Sequence, residues 1–193
     1  MKVNLINNRG VHICKSMLAY QKFGNGETPQ SSGIKGDHLV GNYYVRFAQW
    51  EAQELKKDTK ANMAKGMSEE DAKALAKKEN GPDMEAQAML RRWEQGDPQV
   101  MDLWKLMNRW TLAGVAQTYE RTGISFDKYY YESDTYKLGK DKVLEGLEKG
   151  IFQKADDGSI YIDNSDIGLD RKILLRRDGT SIYITQDIGT AIN

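Results

Sequence analysis

The sequence predicts an α/β fold in which a parallel sheet is interrupted by a helical insertion and followed by β-hairpins. Three observations support this prediction. A short apolar strand, a glycine-containing turn and a helix stand at the start of the chain, which is half of a βαβ unit. Helical periodicity then extends from about residue 38 to residue 122. Strand-forming runs return after Gly123, and pairs of them flank turns that contain Asp-Gly.

The first segment, residues 1–37, is predicted to begin the α/β core. Residues 3–6 are apolar and short enough for a strand, and residues 7–10 (Asn-Asn-Arg-Gly) form a turn signal. Residues 11–20 carry apolar side chains at helical spacing. The composition of residues 24–37, which is rich in glycine and small polar residues, indicates a loop.

The second segment, residues 38–122, is predicted to be a helical insertion. Residues 68–71 (Ser-Glu-Glu-Asp) resemble a capping box, and Gly81-Pro82 breaks the helix that follows it. Residues 96–98 (Gly-Asp-Pro) combine a capping aspartate with a proline in the first turn, which is a strong helix start. The helix that begins there has a continuous apolar face, and Gly123 can close it.

The third segment, residues 123–193, is predicted to complete the α/β core. Two acidic glycine turns inside it are typical of hairpins, because aspartate and glycine adopt the tight turn that antiparallel strands need. The predicted elements are strands at 124–127 and 129–131, a helix at 139–149, a hairpin at 151–162 and a second hairpin that pairs 171–177 with 181–185.

Composition excludes several classes of protein. Lysine plus arginine equals aspartate plus glutamate at 28 each in 193 residues, so net charge gives no sign of a basic nucleic-acid-binding face, although a neutral total is compatible with a local basic patch. The single Cys14 has no disulfide partner within the chain and is typical of a reducing cytosol. No apolar run approaches the ~20 residues that a membrane span needs. Both ends read as the interior of a fold, and we expect the chain to be part of something longer.

A phenol and a carboxylate stand four residues apart near the end of the chain. Tyr183 and Asp187 are predicted to lie where the strand at 181–185 ends. Open α/β sheets bind ligands at the carboxyl ends of their strands, so Asp187 can meet a cationic group there and Tyr183 can offer its hydroxyl and ring. The alternative is that Tyr183 fills a core and Asp187 caps the next helix.

The two histidines and the cysteine do not form a metal set. His12, His38 and Cys14 are too few for structural zinc, which usually has four ligands. Cys14 has no base placed beside it in the sequence and is interpreted as a buried small residue. Phosphate-binding glycine loops of the GxGxxG and GxxxxGK[ST] types are absent from the sequence.

Aromatic and lysine-rich stretches could indicate nucleic-acid binding. Bases of single strands stack on aromatic side chains, but rings at helical spacing are more often core. Lysines between residues 56 and 78 are interrupted by acidic residues, which favours a solvated helix face. The aromatic residues concerned are Tyr43, Tyr44, Trp50, Trp93, Trp104 and Trp110.

Several short runs occur in a particular order along the chain. In order and spacing they resemble the class I arginyl-tRNA synthetase family over nearly all of the sequence. The runs are 4–12 (Asn-Leu-Ile-Asn-Asn-Arg-Gly-Val-His), 93–98 (Trp-Glu-Gln-Gly-Asp-Pro) before Leu103-Trp104, Tyr119-Glu120-Arg121, Phe126-Asp127, Glu132-Ser133 with Tyr136, and 183–188 (Tyr-Ile-Thr-Gln-Asp-Ile) after Asp178-Gly179.

The resemblance implies a pocket for arginine formed in part by Tyr183 and Asp187. A guanidinium is planar, permanently charged and rich in donors, so a carboxylate is its natural partner. The hypothesis is that Asp187 pairs with this group while Tyr183 hydrogen-bonds to it or packs over it. The same resemblance suggests further residues of the active-site wall, namely His12, Glu132, Ser133 and Tyr136. The alternatives are that His12 lies on a helix surface and that the other three belong to a solvent-exposed loop.

The resemblance further implies a partial Rossmann-like catalytic core from a cytoplasmic enzyme of protein biosynthesis. Its substrates would be arginine, ATP with Mg²⁺, and arginine tRNA. The family's HIGH and KMSKS motifs do not occur in these 193 residues. We therefore expect the chain to be a central fragment of the catalytic domain that is inactive by itself. The alternative is a non-catalytic binding or interaction module derived from a truncated synthetase.

Overall fold

The chain divides into two units, and the computed structural model describes residues 1–192 of it. One unit, here called the α/β unit, combines Met1–Asn8 with Phe126–Asn193. The other, the helical unit, is Arg9–Ser125. Asn193, the last residue of the third predicted segment, lies outside the described residues.

The elements alternate between strands and helices only at the two ends of the chain. No helix within residues 1–192 is long and apolar enough to cross a membrane. In chain order the elements are β1 (Val3–Ile6), α1 (Val11–Phe23), α2 (Pro29–Ser32), α3 (Gly36–Ala64), α4 (Glu69–Lys78), α5 (Gly81–Glu94), α6 (Pro98–Thr122), β2 (Lys128–Tyr131), α7 (Glu132–Glu148), β3 (Gln153–Lys154), β4 (Ile160–Ile162), a 3₁₀ turn (Ser165–Ile167), β5 (Lys172–Leu175) and α8 (Tyr183–Ile192).

Strands β1 and β2 form a parallel pair although the whole helical unit lies between them in the chain. Val3 is opposite Lys128 and Ile6 is opposite Tyr131. The carbonyl of Lys2 extends the pairing by accepting from the backbone nitrogen of Asp127, at 2.8 Å. Parallel strands need a long crossover, and here the helical unit supplies it. The predicted mixed α/β class, with a parallel sheet, a helical insertion and a hairpin, is confirmed.

The first predicted hairpin is confirmed as the pairing of β3 with β4. These strands are antiparallel, and β5 adds a third strand beside β4. At the turn, Asp157 Oδ1 accepts a hydrogen bond from the Ser159 nitrogen at 3.0 Å, and Gly158 has a φ of +90°. The turn therefore uses aspartate and glycine for the reasons that the sequence indicated.

The second predicted hairpin is wrong in its last strand. Asp178-Gly179 does form a turn, but only an isolated bridge from Leu175 to Ser181 follows, and residues 183–192 are helix α8. The β-branched residues of this run suggested a strand. Ile184 and Ile188 instead lie one helical turn apart and pack together against the unit's core, so tertiary packing overrides the local preference.

Helix α7 begins earlier than the sequence indicated. It starts at Glu132, directly after β2, whereas the spacing of apolar residues predicted a start near Gly139. Polar residues in its first turn concealed the beginning of the helix. As a result Glu132, Ser133 and Tyr136 belong to a helix and not to a solvent-exposed loop, and Glu132 and Tyr136 are buried.

Helices α7 and α8 approach each other closely enough to bring their backbones into contact. A Cβ atom added to Gly139 would overlap the carbonyl oxygen of Thr185, and one added to Gly189 would overlap the carbonyl oxygen of Thr135. Glycine at both positions is therefore required by space and not by backbone conformation. The two helices therefore lie as close together as their backbones allow.

The core of the α/β unit lies between α7, α8 and the antiparallel sheet. Its fully buried members come from α7, β4 and β5, and partly buried side chains from α8 pack against them. The buried residues are Val143, Ile160, Leu174 and Leu175, and the side chains packed against them include Leu147, Phe152, Ile184 and Ile188.

Helix ends in the helical unit follow the predicted signals. Ser68 caps α4 by accepting from the Asp71 nitrogen at 3.1 Å, and Asp97 caps α6 through the nitrogens of Gln99 and Val100. Gly123 closes α6 in the left-handed conformation. Two predictions shift: the predicted loop at 24–37 contains α2 and the first residues of α3, and α5 starts at Gly81 beside the predicted break.

Aromatic residues form much of the core of the helical unit. Among the residues considered for base stacking, Tyr43, Trp50, Trp93 and Trp110 are buried, which confirms the interpretation as core, whereas Tyr44 is exposed. The rings meet edge to face, the favoured arrangement for aromatic pairs. The pairs are Tyr20 with Tyr43 and with Trp110, Trp50 with Phe23 and with Phe47, and Trp93 with Trp104.

Replacing Gly139 by alanine should destabilise the α/β unit. The added methyl group would meet the backbone of Thr185, which cannot move without separating α7 from α8. We expect a loss of about 1–3 kcal/mol in the free energy of unfolding, measured by denaturant titration. Gly41→Ala is the matched control, because Gly41 lies in a helix with open space around it. This substitution should raise the free energy of unfolding by up to about 1 kcal/mol. Equal effects of the two substitutions would contradict the close contact.

Candidate functional site

Helix α8 presents Tyr183 and Asp187 side by side on its exposed face. The two residues are four positions apart, which places them one turn apart on the same side of a helix. Tyr183 is 55% exposed, and Asp187 is also exposed. The structure thus keeps the predicted pair together, although on a helix and not at the end of a strand.

The buried side of α8 makes two polar contacts with the rest of the α/β unit. Thr185 is fully buried, and its hydroxyl donates a hydrogen bond to the backbone carbonyl of Leu174 in β5. Gln186 is buried as well, and its side-chain amide donates to the carboxylate of Glu132 at the start of α7. Buried polar groups are costly unless they are paired, so these contacts fix the orientation of the helix.

The carboxyl ends of β1 and β2 meet at the same edge of the parallel pair. Asn8, shortly after β1, accepts a hydrogen bond from the Ser133 nitrogen at 2.9 Å and donates to the Ser133 hydroxyl at 3.0 Å. Glu132, the residue directly after β2, holds Gln186 of α8. The helix that carries Tyr183 and Asp187 is therefore tied to the edge where α/β sheets bind their ligands.

The remaining predicted wall residues differ in their placement. Ser133 is half-buried and engaged with Asn8, whereas the side chain of Tyr136 is buried in α7. His12 is half-buried in the first turn of α1 and belongs to the helical unit. Within the α/β unit the structure therefore brings Glu132 together with α8.

Sequence reasoning missed three residues of this site. Asn8, Thr185 and Gln186 are polar and buried; Asn8 and Gln186 contact residues far away in the chain, and Thr185 contacts Leu174 in β5. A helical interpretation of residues 183–192 would have placed Thr185 opposite Tyr183 and Asp187, and Gln186 about 100° around the helix axis from Asp187. The strand interpretation alternates side chains between two faces and hid this arrangement.

The exposed pair on α8 has the chemistry to bind a planar cation. An ionised carboxylate accepts hydrogen bonds along two edges, which matches the paired donors of a guanidinium. A phenol one turn away can accept a further hydrogen bond or cover a flat cation with its ring. The arrangement is therefore suited to the recognition of a planar cation.

The first residue of the helical unit, Arg9, forms an ion pair with Glu94. Arg9 is buried, forms a salt bridge with Glu94 and lies 5.5 Å from the centre of the Trp93 ring. In the same run of sequence, Asp97 caps α6 and accepts from Arg92 at 2.9 Å, and these contacts lower the pKa of Asp97. The run 93–98 therefore has a structural role, holding the start of α1 and the start of α6.

Comparison with known proteins identifies the class. A family model for class I tRNA synthetases of the arginine type, catalytic domain, matches residues 40–193. The chain therefore belongs to the class I arginyl-tRNA synthetase family, as the short runs of sequence predicted.

Individual relatives agree with this family. The chain is 56% identical over 191 residues to the arginine–tRNA ligase of Phocaeicola vulgatus, covering 99% of this chain and 32% of that protein. It is equally similar to the arginine–tRNA ligase of Bacteroides fragilis, of which it covers 31%. The chain thus spans about a third of the length of these relatives. The crystal structure of a Plasmodium falciparum arginyl-tRNA synthetase shares the fold, with a TM-score of 0.57 at 13% identity over 98% of this chain and 27% of that one.

The thiol of Cys14 should be unreactive in the folded chain. Cys14 is buried in α1, and burial raises its pKa to about 12, outweighing the opposing effect of Arg9. At pH 8 only about one thiol in 10⁴ would then be ionised. We expect iodoacetamide to label the native chain at least about a hundredfold more slowly than the chain unfolded in guanidinium chloride, followed by mass spectrometry. Labelling of the native chain at the rate of a free thiol would contradict the burial.

Proposed function

We propose that this chain forms the arginine-recognising part of the catalytic domain of an arginine–tRNA ligase. The reaction is ATP-dependent activation of arginine to an adenylate, with release of pyrophosphate, followed by transfer of the arginyl group to the 3′ end of arginine tRNA. Membership of the synthetase family supports this proposal, as do relatives named arginine–tRNA ligase at 56% identity. The enzyme is expected to work in the cytoplasm as part of protein biosynthesis.

The main observation behind the proposal is that Tyr183 and Asp187 are exposed side by side on α8, a helix whose buried side is hydrogen-bonded to the rest of the α/β unit. Asp187 pairs with the guanidinium of arginine, and Tyr183 hydrogen-bonds to it or packs over it. Hydrogen bonds from Thr185 and Gln186 hold α8 against the α/β unit. The carboxylate and the phenol are therefore expected to have the same positions before and after the ligand binds. A site organised in advance loses less free energy to ordering when it binds.

The rest of the chain has supporting parts in this proposal. Residues 1–37 and 123–193 contribute to a Rossmann-like catalytic core, and residues 38–122 form an insertion within it. Ser133 and Glu132 support the pocket from the edge of the parallel pair. His12 and Tyr136 remain candidates for the active-site wall.

Recognition of arginine is the part of the reaction that the residues present can carry. ATP with Mg²⁺ is the co-substrate of the proposed enzyme, but the 193 residues contain no HIGH, KMSKS or glycine-rich phosphate-binding signature. Within residues 1–192, no three His, Cys, Asp or Glu side chains gather as a metal site.

Replacing Asp187 by asparagine should weaken arginine binding. The test protein is the Phocaeicola vulgatus ligase in which this chain replaces the matching segment, here called the chimaeric ligase. Loss of a charged hydrogen-bonding partner should raise the Kd for arginine, measured by titration calorimetry, by about 10–100-fold. Tyr183→Phe removes one hydroxyl and should raise it by about 2–10-fold.

A matched substitution separates this effect from a general loss of charge. Asp141→Asn makes the same change at an exposed position of α7, and it should leave the Kd for arginine unchanged. The Kd for ATP should not change in any of the three variants. An unchanged arginine Kd in Asp187→Asn would refute the role given to Asp187.

The 193-residue chain alone should not catalyse arginine-dependent exchange of pyrophosphate into ATP. The groups that stabilise charge on the phosphates supply most of the rate enhancement in such reactions, and their signatures are absent from this sequence. The chimaeric ligase is the positive control in the same assay. Sustained exchange by the chain alone would show that it carries its own phosphate site, whereas arginine binding without exchange is also the behaviour expected of a non-catalytic binding module.

A further inference from the structure

We propose that Gln186 and Glu132 are a positioning pair that sets the rotation of α8 and so aims Tyr183 and Asp187 at the guanidinium. This inference rests on the proposed function. It gives a role to a glutamine that directly precedes the proposed arginine-binding aspartate in sequence and points about 100° away from it around the helix axis.

The pair joins the two structural parts that the pocket needs. Glu132 follows directly after Tyr131, which is in register with Ile6 in the parallel pair, so its position is set by the sheet. Gln186 is in the first turn and a half of α8. Glu132 is 5% exposed and Gln186 is 8% exposed, and the side-chain amide of Gln186 donates a hydrogen bond to the carboxylate of Glu132.

Other contacts of α8 constrain different movements. The glycine contact with α7 fixes how far apart the two helices lie, and Thr185 holds one point of α8 to β5. Neither of them fixes α8 to the edge of the parallel pair. A rotation of about 20° about the helix axis would move side-chain ends lying about 5 Å from it by about 2 Å. Misplacement by about 1 Å can already cost about 10²-fold in an enzyme reaction.

The chemistry of the pair requires one amide and one carboxylate. A carboxylate accepts hydrogen bonds, and the amide of Gln186 supplies a donor to one of the two Glu132 oxygens. The bond is buried, and a hydrogen bond to an ionised carboxylate is stronger than one between neutral groups. Two carboxylates at these positions would repel each other or force one of them to be protonated.

The test uses reciprocal substitutions in the chimaeric ligase. Gln186→Glu places two carboxylates face to face, and we expect the KM for arginine in pyrophosphate exchange to rise by about tenfold or more while the KM for ATP stays within about twofold. The exchanged pair, Glu132→Gln with Gln186→Glu, restores one amide and one carboxylate. It should return the KM for arginine to within about threefold of the parent.

Controls separate this inference from simpler explanations. Glu148→Gln, the same change at an exposed position of α7, should leave every parameter unaltered. If Gln186→Glu does not fold, the exchanged pair still decides: a folded exchanged pair with a parental KM for arginine supports the inference, and one with a KM raised as far as in Asp187→Asn overturns it. Equal loss in kcat and in the KM for both substrates would indicate a merely structural pair and would also overturn it.

The outcome for Asp187→Asn tells the two proposals apart. If that variant leaves arginine binding unchanged, the proposed function itself fails. If it weakens arginine binding while Gln186→Glu folds and leaves the KM for arginine unchanged, only the positioning role fails.

Discussion

The contact between the backbones of α7 and α8 is the constraint on which the α/β unit depends. Glycine at positions 139 and 189 lets the two helices approach until carbonyl oxygens occupy the space where side chains would begin. This approach seals the core formed with β4 and β5 and places Gln186 within reach of Glu132. Protein interiors are close-packed, so one extra methyl group where the two helices cross would disturb the packing of the α/β unit.

In the candidate site, the buried and the exposed sides of α8 have different roles. The buried side of α8 makes hydrogen bonds through Thr185 and Gln186, and the exposed side presents a carboxylate and a phenol. A ligand that meets this exposed face does not have to organise it. The same division explains why the buried residues next to Tyr183 and Asp187 in sequence are polar, where a simple core would have used apolar ones.

Family motifs do not all mark ligand contacts. The run at 93–98 contributed strongly to the resemblance, yet its residues hold Arg9 in a buried ion pair and cap α6. A buried arginine needs a carboxylate partner and a well-packed surface, here Glu94 and the ring of Trp93, because an unpaired charge inside a protein is costly. A run of sequence can therefore be typical of a family because its residues hold the helices together, and not because they bind a ligand.

The sequence by itself determined the helix caps, the Asp-Gly turns, the aromatic core and the family, because each depends on local backbone chemistry or on motif order. Only the tertiary structure decided that residues 183–192 form a helix and that α7 starts at Glu132. Both errors have one physical cause: β-branched or polar residues carry weak local preferences, and packing against distant partners outweighed them. The pairing of Gln186 with Glu132 was hidden for the same reason, since contacts between residues far apart in the chain exist only once the fold has brought them together.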